Sequence, residues 1–135
     1  MSDCIFCKII AREISAEVVY EDEYAIAFLD IEPVNLGHTL VLPKAHFRNL
    51  LDIPADELCK IVPAIQKVTR AIIEVTGAEG INFANNNELA AGQLVFHLHF
   101  HIIPRFSNDG LVHWGKKDYK ESEMKHIAEK IRETV

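Results

Sequence analysis

The sequence lacks the basic excess that proteins of nucleic acid and membrane surfaces usually carry. It has 14 Lys and Arg against 20 Asp and Glu, which gives a formal net charge of −6 with histidine counted as neutral. Because nucleic acids and anionic membranes attract basic surfaces, we expect neither to be a partner. A small anionic ligand is compatible with this charge, since it needs only a local group of N–H donors and histidines.

Export signals and membrane spans are also missing. The first residues do not form a basic segment followed by an apolar run, and no apolar stretch reaches the ~18 residues of a transmembrane helix. Only three cysteines occur, an odd number that favours free thiols or a metal site over a disulfide framework. We therefore expect a cytoplasmic protein, or a nuclear one as well if the source is eukaryotic.

The sequence does contain enough apolar residues for one core. Hydrophobic residues make up 49% of the 135 residues, and a chain of this length can bury roughly two thirds of its unfolded surface. No internal repeat, low-complexity segment or linker interrupts it. We expect residues 1–135 to form a single domain.

Alternating and β-rich apolar runs predict five strands, the first two of which suggest a hairpin. The predicted strands are 17–21, 24–29, 39–42, 80–84 and 95–103. The order of strands and helices along the chain is not a βαβ order, so the expected class is α+β.

Helical spacing predicts three helices. A short helix is expected at 6–11 and an amphipathic C-terminal helix at 120–132. Between them, a long helix is expected to begin with Asp52 as its N-cap and to run to Gly77, with a bend at Pro63.

Three histidines alternate along the last predicted strand. His97, His99 and His101 share one face, whereas Leu98 and Phe100 point to the other. A solvated face usually carries Thr, Lys, Glu or Ser, and packing does not require imidazole three times. With an unperturbed pKa of ~6.5, imidazole can act as nucleophile, base or acid near neutral pH. A neutral histidine nitrogen can attack phosphorus to form a nucleotidyl-histidine, which water then cleaves.

The segment 97–103 resembles the His-x-His-x-His-x-x signature of the histidine triad (HIT) superfamily, with apolar residues at each x. The similarity starts at Ile5-Phe6 and continues in the same order through 13–14, 27–31, 37–44 and 92–93, and it is strongest to the nucleotide-binding phosphoramidase branch. The resemblance implies a HIT-like α+β fold, with about five mostly antiparallel strands, one long helix and a C-terminal helix. It also implies a two-fold homodimer in which the two sheets join.

The resemblance implies roles for individual residues. His99 would be the nucleophile, His101 would bind the phosphate and help to protonate the leaving group, and His38 would contribute to the same site. The implied nucleotide-binding residues are Ile5, Phe6, Ile9, Ile14, Phe28, Asp30, Ile31, Asn86, Gly92, Gln93 and Leu94. Ile5, Phe6, Ile9, Ile14 and Phe28 would surround the base. Packing in the core explains Ile5, Phe6, Ile9 and Phe28 equally well.

The implied binding residues divide by chemistry. Asp30 would hold the ribose hydroxyls, and the loop with Asn86, Gly92 and Gln93 would bring backbone N–H groups to the phosphate. Leu94 departs from the family pattern, in which this position often carries a polar side chain. Leucine can donate only through its backbone N–H, which affects the rate and the preferred leaving group rather than the reaction class.

The implied activity is cleavage of a purine nucleoside phosphoramidate, or a related nucleotide derivative, at the α-phosphorus with release of a nucleoside monophosphate. Neither an organic cofactor nor a divalent cation is expected at the chemistry. A nucleotide-binding or scaffold module with little turnover is an alternative, which Leu94 favours. Another is a binding module in which every histidine holds metal, and a third is a dinucleoside polyphosphate hydrolase, for which the loop 106–114 would be decisive.

Cys4 and Cys7 form a Cys-x-x-Cys motif. From the residues alone it could be a redox pair, half of a metal site or two buried thiols, although a redox pair would need a strand before it. Some members of the superfamily combine this motif with two histidines, which here are His46 and His97. The resemblance therefore implies a structural Zn²⁺ held by two thiolates and two imidazoles. Cys59, on the predicted long helix, is expected in the core.

Overall fold

Five antiparallel strands form one sheet in the computed structural model, which describes residues 3–135. The strands are β1 (Val18–Glu21), β2 (Ala25–Leu29), β3 (Thr39–Pro43), β4 (Gly80–Ala84) and β5 (Phe100–Arg105). Their order across the sheet is β1-β2-β3-β5-β4, and each neighbouring pair is antiparallel. The predicted α+β class and the predicted β1–β2 hairpin are confirmed.

The helices lie between and after the strands. They are α1 (Ile5–Ile10), α2 (Ala55–Cys59), α3 (Val62–Thr76) and α4 (Glu123–Thr134), with a short 3₁₀ turn at Leu89–Ala91. Across residues 3–135, no helix combines the length and the hydrophobicity needed to cross a bilayer. The predicted short and C-terminal helices are present, with their ends shifted by a few residues.

The predicted long helix is divided in two. The α-helical hydrogen bonding is interrupted at 60–61, where the backbone N–H groups bond three residues back, and α3 then carries Pro63 in its first turn. Proline has no N–H to donate to the carbonyl of Cys59, so a continuous helix would lose a hydrogen bond there. The placement of Cys59 in the core was also wrong, because its side chain is exposed at the end of α2. The end of α3 at Gly77 is confirmed, with φ of 71° at this residue.

Asp52 does not cap a helix, and this prediction was wrong. Its carboxylate accepts the backbone N–H of Arg48 at 2.6 Å and so closes the turn before α2. The N-cap of α2 is Pro54, which has no side chain able to accept a hydrogen bond.

Apolar side chains pack on both faces of the sheet. On one face α3 contributes Ala64, Val68 and Ile72, which lie four residues apart on one side of the helix. On the other face α1 contributes Phe6 and Ile9. The strand residues of this second cluster are Ile26, Phe28, Leu40 and Leu42. The two halves of the core thus hold the sheet between α3 and the short α1.

The last strand begins later than the sequence predicts. Val41 lies opposite Phe100 in the β3–β5 pair, and the same register would place Pro43 opposite Leu98. Because proline cannot donate to a ladder, the pairing ends there, and the Leu98 N–H donates instead to the Phe47 carbonyl at 2.6 Å. Two of the three triad histidines therefore lie in irregular backbone just before β5.

Candidate functional site

The triad histidines are inside the protein and not on a solvated face. His97 is fully buried, His99 is 7% exposed, and His101 is partly buried on β5. The rings of His99 and His101 lie 5.0 Å apart, so these two side chains point to the same region, as the alternation predicted.

The tautomer of His99 follows from its backbone partner. The Nδ1 atom lies 2.6 Å from the carbonyl oxygen of His97. Since a carbonyl only accepts, Nδ1 carries the hydrogen of the neutral ring and Nε2 keeps a free lone pair. Burial lowers the pKa of His99 below its ordinary value of 6.5, which favours that neutral form. The Phe6 ring stands perpendicular to this imidazole, with 5.0 Å between the ring centroids.

His38 and His101 form a second pair with a defined hydrogen position. The Val34 N–H donates to Nδ1 of His38 at 3.1 Å, so the neutral His38 ring carries its hydrogen on Nε2. That Nε2–H points to Nδ1 of His101 at 2.9 Å. His101 is thereby the acceptor, and its own hydrogen lies on Nε2. The arrangement provides one free imidazole lone pair, on His99, beside one free imidazole donor, on His101.

Burial favours the neutral forms of His38 and His101. It lowers the pKa of His101 to about 4, with further contributions from His99 and His38. It also lowers the pKa of His38, although the Asp30 carboxylate opposes this effect. Oδ2 of Asp30 lies 3.7 Å from Nε2 of His38, which is a contact with a neutral ring and not a full ion pair.

Asp30, His38 and His101 also place possible metal ligands within 4.8 Å of one another. A metal there would need a lone pair on Nε2 of His38. The Val34 N–H already occupies the lone pair of Nδ1, which leaves the hydrogen of the neutral ring on Nε2. The hydrogen bonding therefore disfavours the alternative in which every histidine holds metal.

The apolar members of the predicted nucleotide site fall into two groups. Phe6, Ile9 and Phe28 are buried in the core cluster on the α1 face of the sheet. The rings of Phe6 and Phe28 meet edge to face, with 5.4 Å between their centroids. The other members are partly or largely exposed: Ile5, Ile14, Ile31 and Leu94. The buried group contributes to the packing of the core. Only the exposed group offers apolar surface that a ligand could cover.

Gln93 ties the predicted phosphate loop together. Its side chain is 1% exposed. The amide oxygen accepts the Glu88 N–H at 2.8 Å, and the amide nitrogen donates to the carbonyls of Arg48 at 2.7 Å and Val95 at 3.1 Å. The hydrogen bonds of this side chain are thus made within the protein, which gives Gln93 a role in shaping the loop.

Asn86 and Gly92 belong to the same loop. Asn86 lines a cavity of about 530 Å³ together with His38 and His101. Gly92 has φ of 93°, a left-handed conformation that favours glycine. The loop therefore turns sharply beside the histidines and brings Asn86 to their cavity.

One residue of this site was missed by the sequence analysis. The side-chain amide of Asn85 donates to the His99 carbonyl at 2.9 Å and accepts from Asn87 at 2.6 Å. Its only signal in the sequence is its place directly after β4, the strand that pairs with β5. Asn85 fixes the backbone that carries the His99 ring.

The four predicted metal ligands meet in one cluster. Sγ of Cys7 lies 3.3 Å from Nδ1 of His46, and the Sγ atoms of Cys4 and Cys7 each lie 3.6 Å from Nδ1 of His97. Tetrahedral Zn²⁺ with ordinary Zn–S and Zn–N bonds would separate sulfur and nitrogen ligands by about 3.5 Å. The donor set and its spacing therefore fit a closed metal site.

The surroundings of the cluster suit metal ligation as well. Nε2–H of His97 donates to the Pro43 carbonyl at 2.8 Å, which leaves the Nδ1 lone pair directed at the thiols. Burial and the adjacent Cys4 thiol raise the pKa of Cys7 to about 11. A bound cation would reverse that effect by favouring the thiolate.

The chain is similar to known proteins over most of its length. The model of the HIT domain family matches residues 11–108. Protein hit of Bacillus subtilis is 47% identical over 134 residues, covering 96% of this chain and 92% of that protein. Adenosine 5′-monophosphoramidase hnt1 of Schizosaccharomyces pombe is 38% identical over 134 residues, covering 98% of both chains.

Solved structures and a further relative agree with this match. A crystal structure of a HIT family protein from Bacillus subtilis superposes with a TM-score of 0.90 and 42% identity, covering 98% of this chain and 97% of that chain. An adenylylsulfatase of Arabidopsis thaliana is 36% identical, covering 92% of this chain and 62% of that protein.

Proposed function

This chain belongs to the HIT domain family, and on that premise we propose that it is a nucleotide hydrolase that uses His99 as its nucleophile. The substrate class is a purine nucleoside phosphoramidate or a related nucleotide derivative, cleaved at the α-phosphorus. The observation that carries the proposal is the free Nε2 lone pair of His99 beside the Nε2–H of His101. Two related proteins, an adenosine 5′-monophosphoramidase and an adenylylsulfatase, support a substrate of this class.

The reaction has two steps. Nε2 of His99 attacks the α-phosphorus, a P–N bond forms, and the bond to the leaving group breaks. Hydrogen-bonded through Nδ1 to the His97 carbonyl, the ring can stabilise the positive charge that it gains. Water then attacks the phosphorus and gives a proton to His101, the bond to His99 breaks, and the nucleoside monophosphate is released.

His101 serves the phosphate and the leaving group. Its Nε2–H donates to a phosphate oxygen, because Nδ1 is already bonded to His38. The negative charge of the bound phosphate raises the pKa of the imidazole, so that the hydrogen-bonded His38–His101 pair takes up one proton from solvent when the substrate binds. His101 then passes that proton to the leaving group as the bond to phosphorus breaks.

The nucleoside is proposed to lie beside α1. Ile5, Ile14 and Ile31 offer exposed apolar surface for the base, and Phe6 borders His99 at 5.0 Å. Asp30 would accept hydrogen bonds from the ribose hydroxyls. The backbone N–H groups of the loop that Gln93 braces would hold the phosphate.

The metal is proposed to be a structural Zn²⁺ held by Cys4, Cys7, His46 and His97. The support is the tetrahedral spacing of two sulfur and two nitrogen donors. The metal would hold three chain segments together and would take no part in the reaction. A cytoplasmic location and one domain over the full chain stay predictions of the same proposal.

A homodimer through β4 completes the proposal. β4 is an edge strand that contains no charged residue and no proline. The opposite edge, β1, carries an irregular register between Val18 and Tyr20 and ends in Glu21. Since bulges and charges protect an edge from pairing, β4 is the edge more suited to join a second copy.

The test is hydrolysis of adenosine 5′-phosphoramidate by the purified protein and by His99→Ala. We expect turnover by the parent and a loss of at least ~10²-fold in the variant, as for removal of a group engaged in the chemistry. His126→Ala is the matched control, because His126 is an exposed histidine on α4, and it should keep the parent rate.

AMP binding separates this proposal from the binding module. If the parent binds AMP but releases no product, the protein is a nucleotide-binding module, and His99 is a phosphate ligand. If the parent cleaves dinucleoside polyphosphates in preference to the phosphoramidate, the proposed substrate class is wrong. The assignment of His99 as the nucleophile would be unaffected.

A further inference from the structure

His97 belongs to both parts of the site. Its ring lies among the thiols of the metal cluster, and its backbone carbonyl accepts the hydrogen of Nδ1 of His99 at 2.6 Å. We propose that a metal held by Cys4, Cys7, His46 and His97 controls nucleotide affinity and the orientation of His99, beyond a purely structural role. This inference rests on the proposed function, because it concerns the regulation of the same site.

The first link runs through α1. Cys4 and Cys7 stand at the start of this helix, which also carries Phe6 and Ile9 on its buried side. A helix of six residues has too few hydrogen bonds to be stable by itself, so its position depends on its contacts. Ligation through both cysteines would fasten α1, and with it the Phe6 ring that borders His99.

The second link runs through the His97 ring. Nε2–H is held by the Pro43 carbonyl at 2.8 Å, whereas Nδ1 faces sulfur atoms at 3.6 Å. Neutral thiols are weak hydrogen-bond partners, so without a cation the ring is well held at one end only. Ligation at Nδ1 would hold both ends and so steady the carbonyl that fixes the His99 tautomer.

The two links predict a population effect. When only a fraction of the molecules has α1 docked, the apparent affinity for the nucleotide is the intrinsic affinity multiplied by that fraction. Docking in about one molecule in ten would raise the Kd for AMP about 10-fold. The metal would then set the fraction of molecules that can bind the nucleotide, without contacting the phosphate.

The experiment compares the protein as purified, after chelation and after reloading with Zn²⁺. Metal content, the Kd for AMP by calorimetry and the His99 tautomer by long-range ¹H–¹⁵N spectra are measured for each state. We expect chelation to remove one metal per chain, to raise the Kd about 10-fold, and to bring His99 into exchange between tautomers. Reloading should reverse all three changes.

Two variants support the comparison. His46→Asn removes a ligand without altering α1 or the triad segment, and it should reproduce the chelated state. Cys59→Ser removes an exposed thiol outside the cluster, and it should behave as the parent does.

Three outcomes would overturn the proposal. The first is an unchanged Kd and tautomer after metal removal, and the second is absence of bound metal after reloading. The third is loss of the far-UV circular dichroism signal on chelation, because the metal would then stabilise the whole fold. Failure of the proposed function is seen separately, because a parent that binds no AMP would contradict that function. The His99 tautomer would still report whether the metal orients the ring.

Discussion

Nε2 of His38 lies 2.9 Å from Nδ1 of His101, and this contact decides which nitrogen of His101 can reach a substrate. We predict that His38→Asn lowers kcat by about 10- to 10²-fold, because the His101 tautomer is no longer fixed. KM for adenosine 5′-phosphoramidate should change much less, since the base and ribose contacts are intact. Steady-state kinetics measure both constants. His126→Asn is the control, and an unchanged kcat in His38→Asn would show that His101 needs no such partner.

The buried amide of Gln93 should matter for stability more than for direct contact with phosphate. Gln93→Leu leaves the Glu88 N–H and two carbonyls without their partner, which should lower the free energy of unfolding by about 3 kcal/mol. The control is Leu94→Gln at the next, 80% exposed position, where a change within about 0.5 kcal/mol is expected. Urea unfolding measures both, and equal stability of the two variants would contradict the loop role of Gln93.

Stability should fall as the pH is lowered from 7 to 5. Burial holds the pKa of His101 at about 4 in the folded protein, against an ordinary value of 6.5. Between these values the unfolded chain binds the proton and the folded chain does not, so acid favours unfolding.

His101→Gln tests this pH effect. The parent should lose about 2 kcal/mol through this group between pH 7 and pH 5, and the variant should lose that much less. His126→Gln should keep the pH dependence of the parent. Urea titrations at several pH values give the free energies, and equal slopes for the parent and His101→Gln would refute the assignment.

The proposed dimer predicts a sensitive position on β4. Phe83 is 51% exposed on this edge strand, and Phe83→Lys would place a charge where the second copy pairs. Sedimentation equilibrium should show a dimer for the parent and a shift to monomer for the variant. Because Phe83 stacks on Phe100 at 5.3 Å, a thermal unfolding scan should accompany the measurement.

Leu89→Lys provides the matched control for the dimer. Leu89 is 69% exposed and lies in the 3₁₀ turn, outside the edge strand β4. It should leave the dimer intact. A monomeric parent, or a Phe83→Lys variant that dimerises as the parent does, would exclude this interface.

The sequence predicts which side chains the fold brings together better than it predicts the local backbone. Residue alternation correctly places His99 and His101 together, because a two-residue period survives the change from irregular backbone to strand. It cannot show where β5 begins, since that depends on Pro43, which lies in another strand. The same limit hides Asn85, whose bond to the His99 carbonyl depends on the pairing of β4 with β5.

The tautomers could not be predicted from the sequence either. They depend on carbonyl and N–H groups that reach the rings only in the folded chain, such as the N–H of Val34 at His38. Periodicity likewise predicts helix through 60–61, because apolar spacing continues across the break before Pro63. Residue types thus indicate which groups are able to perform the proposed chemistry, and backbone partners decide which atom of each group is available for it.

The sheet order has a consequence for how the protein acquires its activity. His38 and His101 lie 63 residues apart in the chain and meet only when β3 pairs with β5. This long-range closure is costly in entropy and is expected to be among the slow events of folding. The His38–His101 contact therefore cannot form in the N-terminal half of the chain alone. During refolding, the recovery of activity should follow the pairing of β3 with β5.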